Sequence, residues 1–416
     1  MPGIGALPPR RADRYGAGPR YFWEAPHRPF FLAAATWALV AVGWWPLGVA
    51  WGMPAPGFRP AVLWHVHELI FGFIAVAMAG YILTALPNWA AHVPERGGIL
   101  KLLLALWTLS RVAMANGDRM PPMLLPWLNT LFFGLLGALI LQRTLSARAW
   151  SRVPFGAGVL ALGLADMTFT RTALAGDVDS SLSLARSCLI GIALLVTLIG
   201  TRLIPAFTEN WRLHRGFAPG EPPDGRLRQG AIALLTLSLG VSLMGWADPA
   251  HAAMIAAAVL LSVALSRWNG LSAARDPLVA GLHAAFLWMP IGLMLTGAVS
   301  VLPVPYAPGD AIHALTIGAF SGLILTISGR AACHRAGPVL RANGWLSLAM
   351  VLIWVATCLR LSAPLAAGTA GGVVNGAALI WCAAWAVFLV GFRPALYGPP
   401  SRPVLSGTKH GALTAR

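Results

Sequence analysis

Trp64-His65-Val66-His67-Glu68 sets two imidazoles and a carboxylate at the head of an apolar run that continues from Leu69 to Leu83. An ionisable group in hydrocarbon costs several kcal/mol (~2.5–3.5 for Asp at a helix centre), so such residues mark functional positions. Imidazoles that stay neutral in lipid are good ligands for haem iron or copper. The stretch therefore points to a metal or haem site inside a membrane, and His313, at the head of a later span, supplies the second helix such a site needs. His65 and His67 are two positions apart, so on an α-helix they point ~200° away from one another. They are expected to serve opposite sides of one helix rather than one metal. Glu68 follows His67 directly and, on these rules, cannot face it, so its partner is expected on another span. There it either holds a ligand imidazole in one tautomer, carries a proton, or pairs with an arginine such as Arg360.

Two further residues have open readings. His283, near the inner end of its span, marks a second site at another depth, bonds to a neighbouring helix, or shows that the span is misplaced. Arg202 in Gly200-Thr201-Arg202-Leu203-Ile204-Pro205 either holds a haem propionate or anchors the helix at the interface. His27 falls on the inner side, and His92, His214, His251, His334 and His410 are expected in loops or tails, in water.

The elements that must position these groups are membrane helices. Of the 416 residues 57% are hydrophobic and only 11% charged, with a mean hydropathy of +0.69. A soluble domain carries roughly 25% charged residues. Twelve apolar stretches, each long enough to cross a ~30 Å hydrocarbon layer, are read at 30–51, 63–86, 98–116, 123–145, 154–175, 183–207, 229–247, 250–267, 278–301, 309–331, 344–363 and 372–393. The fold class is an all-α polytopic bundle of about twelve spans. It is divided into a tail (1–29), six helices (30–210), a Pro- and Gly-rich connector (211–229), six more helices (230–393) and a second tail (394–416).

The formal charge of +16 could suggest a nucleic-acid partner, but its distribution excludes one. With both termini cytoplasmic, 24 of the 30 Lys and Arg residues fall on the inner side, which is the positive-inside bias. The expected location is the cytoplasmic membrane, and the partner is the lipid bilayer. Cys188, Cys333, Cys358 and Cys382 form no C-x-x-C pair, and C-x-x-C-H is absent, so any haem is held without a covalent link. Residues 1–29 lack an apolar core and read as a tail, not a cleaved signal peptide. Pro87, Pro205 and Pro290 each either kink a span and make room for a ligand or reflect the ordinary use of Pro in membrane helices. Trp51, Trp64, Trp89, Trp211 and Trp246 read as interface anchors. A six-residue pattern, H-x-L-x-x-G, occurs at His67–Gly72 and again at His313–Gly318, the best sign of an internal repeat.

At these residues the sequence resembles the NnrS family. The stretches that carry the likeness are His27-Arg28-Pro29-Phe30-Phe31-Leu32, Trp64 to Phe73, Leu83-Thr84-Ala85-Leu86-Pro87-Asn88-Trp89, Arg202 to Thr208 with Asn210, Gly281-Leu282-His283, and His313 to Ala319. They run in order over nearly the whole chain. Thr170 stands where span 5 of the family often carries a histidine. The resemblance implies a membrane protein containing haem (here b-type) and copper, linked to nitric oxide metabolism or nitrosative stress, with nitric oxide or a nitrosyl-metal species as its partner. It implies no particular reaction. On that reading His65, His67 and His313 are the metal ligands, His283 and Arg202 further cofactor contacts, and Glu68 a supporting group. Two rival classes remain: a proton-coupled transporter without cofactor, using His65, Glu68 and His313, and a b-type haem protein that carries electrons from quinol.

Overall fold

A computed structural model describes residues 19–90, 92–336, 339–366, 368–398, 400 and 404–405. Most of both tails, His410 included, lies outside the described residues. Twelve long helices follow one another: α1 (His27–Gly48), α2 (Ala61–Ala90), α3 (Gly98–Ala115), α4 (Leu124–Ser146), α5 (Val153–Leu174), α6 (Val178–His214), α7 (Gly225–Leu243), α8 (Ala247–Ser266), α9 (Pro277–Val301), α10 (Pro308–Ala332), α11 (Gly344–Ser362) and α12 (Ala370–Phe392). The sheet found among the described residues is one short hairpin, His334–Ala336 with Val339–Arg341, between α10 and α11. Every expected span has its helix. Eleven are apolar and long enough to cross a membrane; α7 falls short on hydropathy, because its first turn contains Arg226 and Arg228.

Helix α6 has 37 residues, about 55 Å at 1.5 Å each, well beyond a ~30 Å hydrocarbon layer. Its last turns overrun the expected connector, which shrinks to residues 215–224. Asp177 caps the start of α6 by accepting from the Ser180 amide, and Asp224 caps α7 by accepting from Arg226, satisfying amides that the first turn leaves open. The chain closes on itself where α1 meets α12: Ala34, Ala35, Ala38 and Ala41 are buried, and the Trp381 indole donates to the Ala38 carbonyl at 2.8 Å. Small residues permit that approach, as is usual between membrane helices.

Two helices carry a widened turn in the same place. In α2 the π-helical stretch runs Glu68–Ile74, directly after His67; in α10 it runs Ala314–Ser321, directly after His313. The helices that follow begin at Gly98 and Gly344, then at Leu124 and Ala370. These starts keep the 246-residue offset of the two histidines. The short sequence repeat is thus the visible part of a duplicated three-helix unit, α2–α4 and α10–α12.

The glycine that ends each copy of the pattern has the same use. A Cβ on Gly72 would come within 2.6 Å of the Arg111 guanidinium and 2.9 Å of the Trp37 indole nitrogen, and one on Gly318 would overlap Trp288. α2 and α10 lie on either side of an apolar cleft against α6, where Ile74, Tyr81, Ile199, Phe320 and Ile324 meet.

The helices continue through Pro87, Pro205 and Pro290 without a residue of non-helical backbone there. The backbone break falls instead in α1, at Trp45 (φ −135°, ψ 122°), just before Pro46.

Candidate functional site

His67 sits at the centre of a fully buried polar cluster. Its Nδ1 is 3.0 Å from Glu68 Oε1 and its Nε2 is 2.8 Å from Asp166 Oδ1 of α5. Glu68 Oε2 accepts from Arg111 of α3 at 2.9 Å. Arg111 also donates to Ser110 Oγ, which donates to Asn129 of α4 at 2.6 Å. The Asn129 amide lies 3.2 Å from His67 Nε2 and donates to Thr170 Oγ1, which in turn donates to Asp166 Oδ1. None of these seven side chains is more than 3% exposed. A proton must lie in each short N···O gap, so with Arg111 cationic the four ionisable groups sum to a neutral set, the condition under which buried charge is tolerated. Both nitrogens of His67 are thereby engaged.

The expectation that Glu68 could not reach His67 is corrected. The π turn begins at Glu68, and its wider coil together with the long side chain folds the carboxylate back onto the neighbouring ring. Its arginine partner is Arg111; Arg360 pairs with Asp310 at 2.6 Å.

His65 points elsewhere, as the i, i+2 spacing requires. The break in α1 lays the Trp45 ring 4.8 Å from the His65 ring, and His65 Nδ1 is buried with no hydrogen-bond partner. His65 interacts electrostatically with His313, and both feel the Arg360 guanidinium. His313 places Nδ1 3.2 Å from the Asp310 carbonyl. The duplication explains why the two equivalent histidines differ. At the 246-residue offset Glu68 corresponds to Ala314, so His313 has no adjacent carboxylate to tie it down. One imidazole from each unit, His65 and His313, lies within electrostatic reach of the other; His67 is not part of that pair. Among the described residues no group of three or more His, Cys, Asp and Glu side chains is arranged to hold a metal ion. The buried, unpartnered Nδ1 of His65 has the chemistry of a ligand to a soft or borderline metal, and His65 and His313 are the residues that would hold one.

His283 lies at the opposite face, the end where α6 and α7 are connected. Its Nε2 is 2.8 Å from Thr208 Oγ1, and Trp268 packs edge-on against its ring. Span 9 is where the sequence places it, so His283 is at a different depth from His65 and His313. Arg202 is exposed on the outer surface of α6, turned away from Thr201 and Thr208, which are buried. Trp64, expected at an interface, is fully buried against Trp44, whereas Trp51 and Trp246 are exposed as anchors should be. The four cysteines are unpaired. His251, expected in a loop, is half-buried on α8.

Asp166 is the residue that sequence reasoning missed. It is a lone carboxylate in the middle of an apolar span, the signal that singled out Glu68. Ser110, Asn129 and Thr170 gave no such signal, since a neutral polar residue in a membrane helix is common. No curated protein matches the chain. The family model described as NnrS protein matches residues 21–399, nearly the whole chain, and the helices it spans are those that carry both histidine clusters. The chain belongs to the NnrS family and is a multi-pass membrane protein related to nitric oxide.

Proposed function

We propose that the protein binds haem and copper in the bacterial cytoplasmic membrane and acts in the response to nitric oxide, with His65 and His313 as its metal ligands. The observation that carries this reading is the buried, unpartnered Nδ1 of His65, within electrostatic reach of His313, so that each duplicated unit offers one imidazole. A metal held by imidazoles supplies a position at which nitric oxide can bind. Apolar helices around it suit a small uncharged gas. His67, with both nitrogens engaged, holds α2 against α5 and α3 rather than a metal. His283, with Thr208 as partner, is outside this ligand set, and so is the outward-facing Arg202.

The test is a haem and copper assay with a reduced-minus-oxidised spectrum of the purified protein. Both metals are expected, and nitric oxide added to the reduced protein is expected to shift the haem absorption. A specific observation favours a second reading: the His67–Asp166–Glu68–Arg111 cluster is of the kind used to move protons through membranes. Protein purified with neither haem nor copper would favour proton-coupled transport. Haem present without any response to nitric oxide would favour a quinol-linked electron carrier.

A further inference from the structure

On the face that carries His65 and His313, a cavity of about 320 Å³ opens among the ends of α6, α7, α8, α9 and α10. Small-molecule sites run from about 300 to 1,000 Å³, so it is large enough for more than water. Its polar wall is made by Ser183 and Arg186 of α6, Ser242 of α7, His251 of α8, and Thr296 and Ser300 of α9. No Asp or Glu lines it among the described residues, and Asp248, which interacts with His251, lies exposed outside the lining. Arg186 forms no ion pair among the described residues.

The hydroxyls divide into two kinds. Ser242 is bonded to Ser187, and Ser300 donates to the Thr296 carbonyl. Thr296 Oγ1 and His251 Nδ1 are buried with no partner, and Thr296 is only 8% exposed. A buried polar group left unsatisfied costs about 1–3 kcal/mol, so two on one cavity wall need a partner that is itself polar. Beside them stands an unpaired guanidinium, and one turn further along the same three helices lie Leu189, Met254 and Val299.

We propose that this cavity binds an anionic oxygen group carried on a short apolar body. Carboxylate or phosphate oxygens accept from Arg186, His251 and Thr296, and the apolar body rests on Leu189, Met254 and Val299. The group belongs either to a soluble organic anion or to a lipid headgroup. The site is separate from the His65–His313 pair, although Ile312 and Leu315, on either side of His313 in sequence, complete its wall.

The experiment is calorimetric titration of the full-length protein, purified and delipidated in phosphate-free detergent, with butyrate, inorganic phosphate and the neutral control butyramide. Butyrate or phosphate is expected to bind and butyramide not to. Arg186→Gln, at an exposed helix end, is expected to lower the affinity roughly tenfold or more, the usual scale for a charge-assisted hydrogen bond. Ser183→Leu, which narrows the cavity without changing charge, is expected to weaken binding too. If neither anion binds but phospholipid co-purifies with the wild type and not with Arg186→Gln, the occupant is a lipid headgroup. The proposal is overturned if no anion binds and no phospholipid is retained, or if Arg186→Gln behaves as the wild type.

Discussion

Removing the Glu68 carboxylate leaves the Arg111 guanidinium buried at 3% exposure without the one carboxylate it contacts. Breaking one side of a buried pair costs about 3–5 kcal/mol, more than the pair itself contributes. Glu68→Gln should therefore lower the thermal midpoint of the detergent-solubilised protein sharply, and the double variant Glu68→Gln/Arg111→Gln should recover part of that loss. Equal losses in the single and double variants would show that the two side chains are not coupled. The opposed directions of His65 and His67 were legible from their spacing alone. The Glu68–His67 bond was not, because the angular rule assumes a regular α-turn and the chain is π-helical from Glu68 onward. Nor was the pairing of Asp166 with His67, which spans 99 residues of sequence. Hydropathy shows that a charge is buried, and only the packing of α2 on α5 shows against what.

At the scale of elements, the π segments and the glycines beneath them are one device. Gly72 and Gly318 leave room for Trp37 with Arg111 and for Trp288, respectively, and so fix how close α1, α3 and α9 come to the histidine turns. Gly318→Ala should cost about 1–3 kcal/mol by overpacking, whereas Gly134→Ala in α4, with nothing within 4 Å of the added methyl, should leave the thermal midpoint unchanged or raise it. A midpoint unaffected by Gly318→Ala would mean that Trp288 can move aside freely. The twelve helices were legible to within a few residues because apolar length is what a bilayer selects. The π turns were hidden, since composition does not separate an i+4 from an i+5 hydrogen bond. The connector was overestimated because the mostly polar residues 208–214 continue α6 beyond the apolar stretch as ordinary helix.

For the whole molecule, we propose from the alternation of twelve helices and the distribution of Lys and Arg that the start of α1, the 215–224 connector and the end of α12 face the cytoplasm. Reporter fusions at Pro219 and at the C-terminus should both report the cytoplasm; periplasmic activity from either would invert every face given above. The duplication matters most at this scale. It sets two histidines at equivalent turns, then ties one of them, His67, into a charge cluster while its counterpart, His313, lies within electrostatic reach of His65 from the other unit. From this follows our proposal that a metal centre bridges the two units. Its most direct test is the haem and copper content of His65→Ala, His313→Ala and His67→Ala, purified alike and measured per chain. The account predicts that His65→Ala and His313→Ala lose the same metal while remaining folded, and that His67→Ala keeps its metal but loses thermal stability. Loss of metal from His67→Ala alone, with His65→Ala and His313→Ala fully loaded, would contradict it.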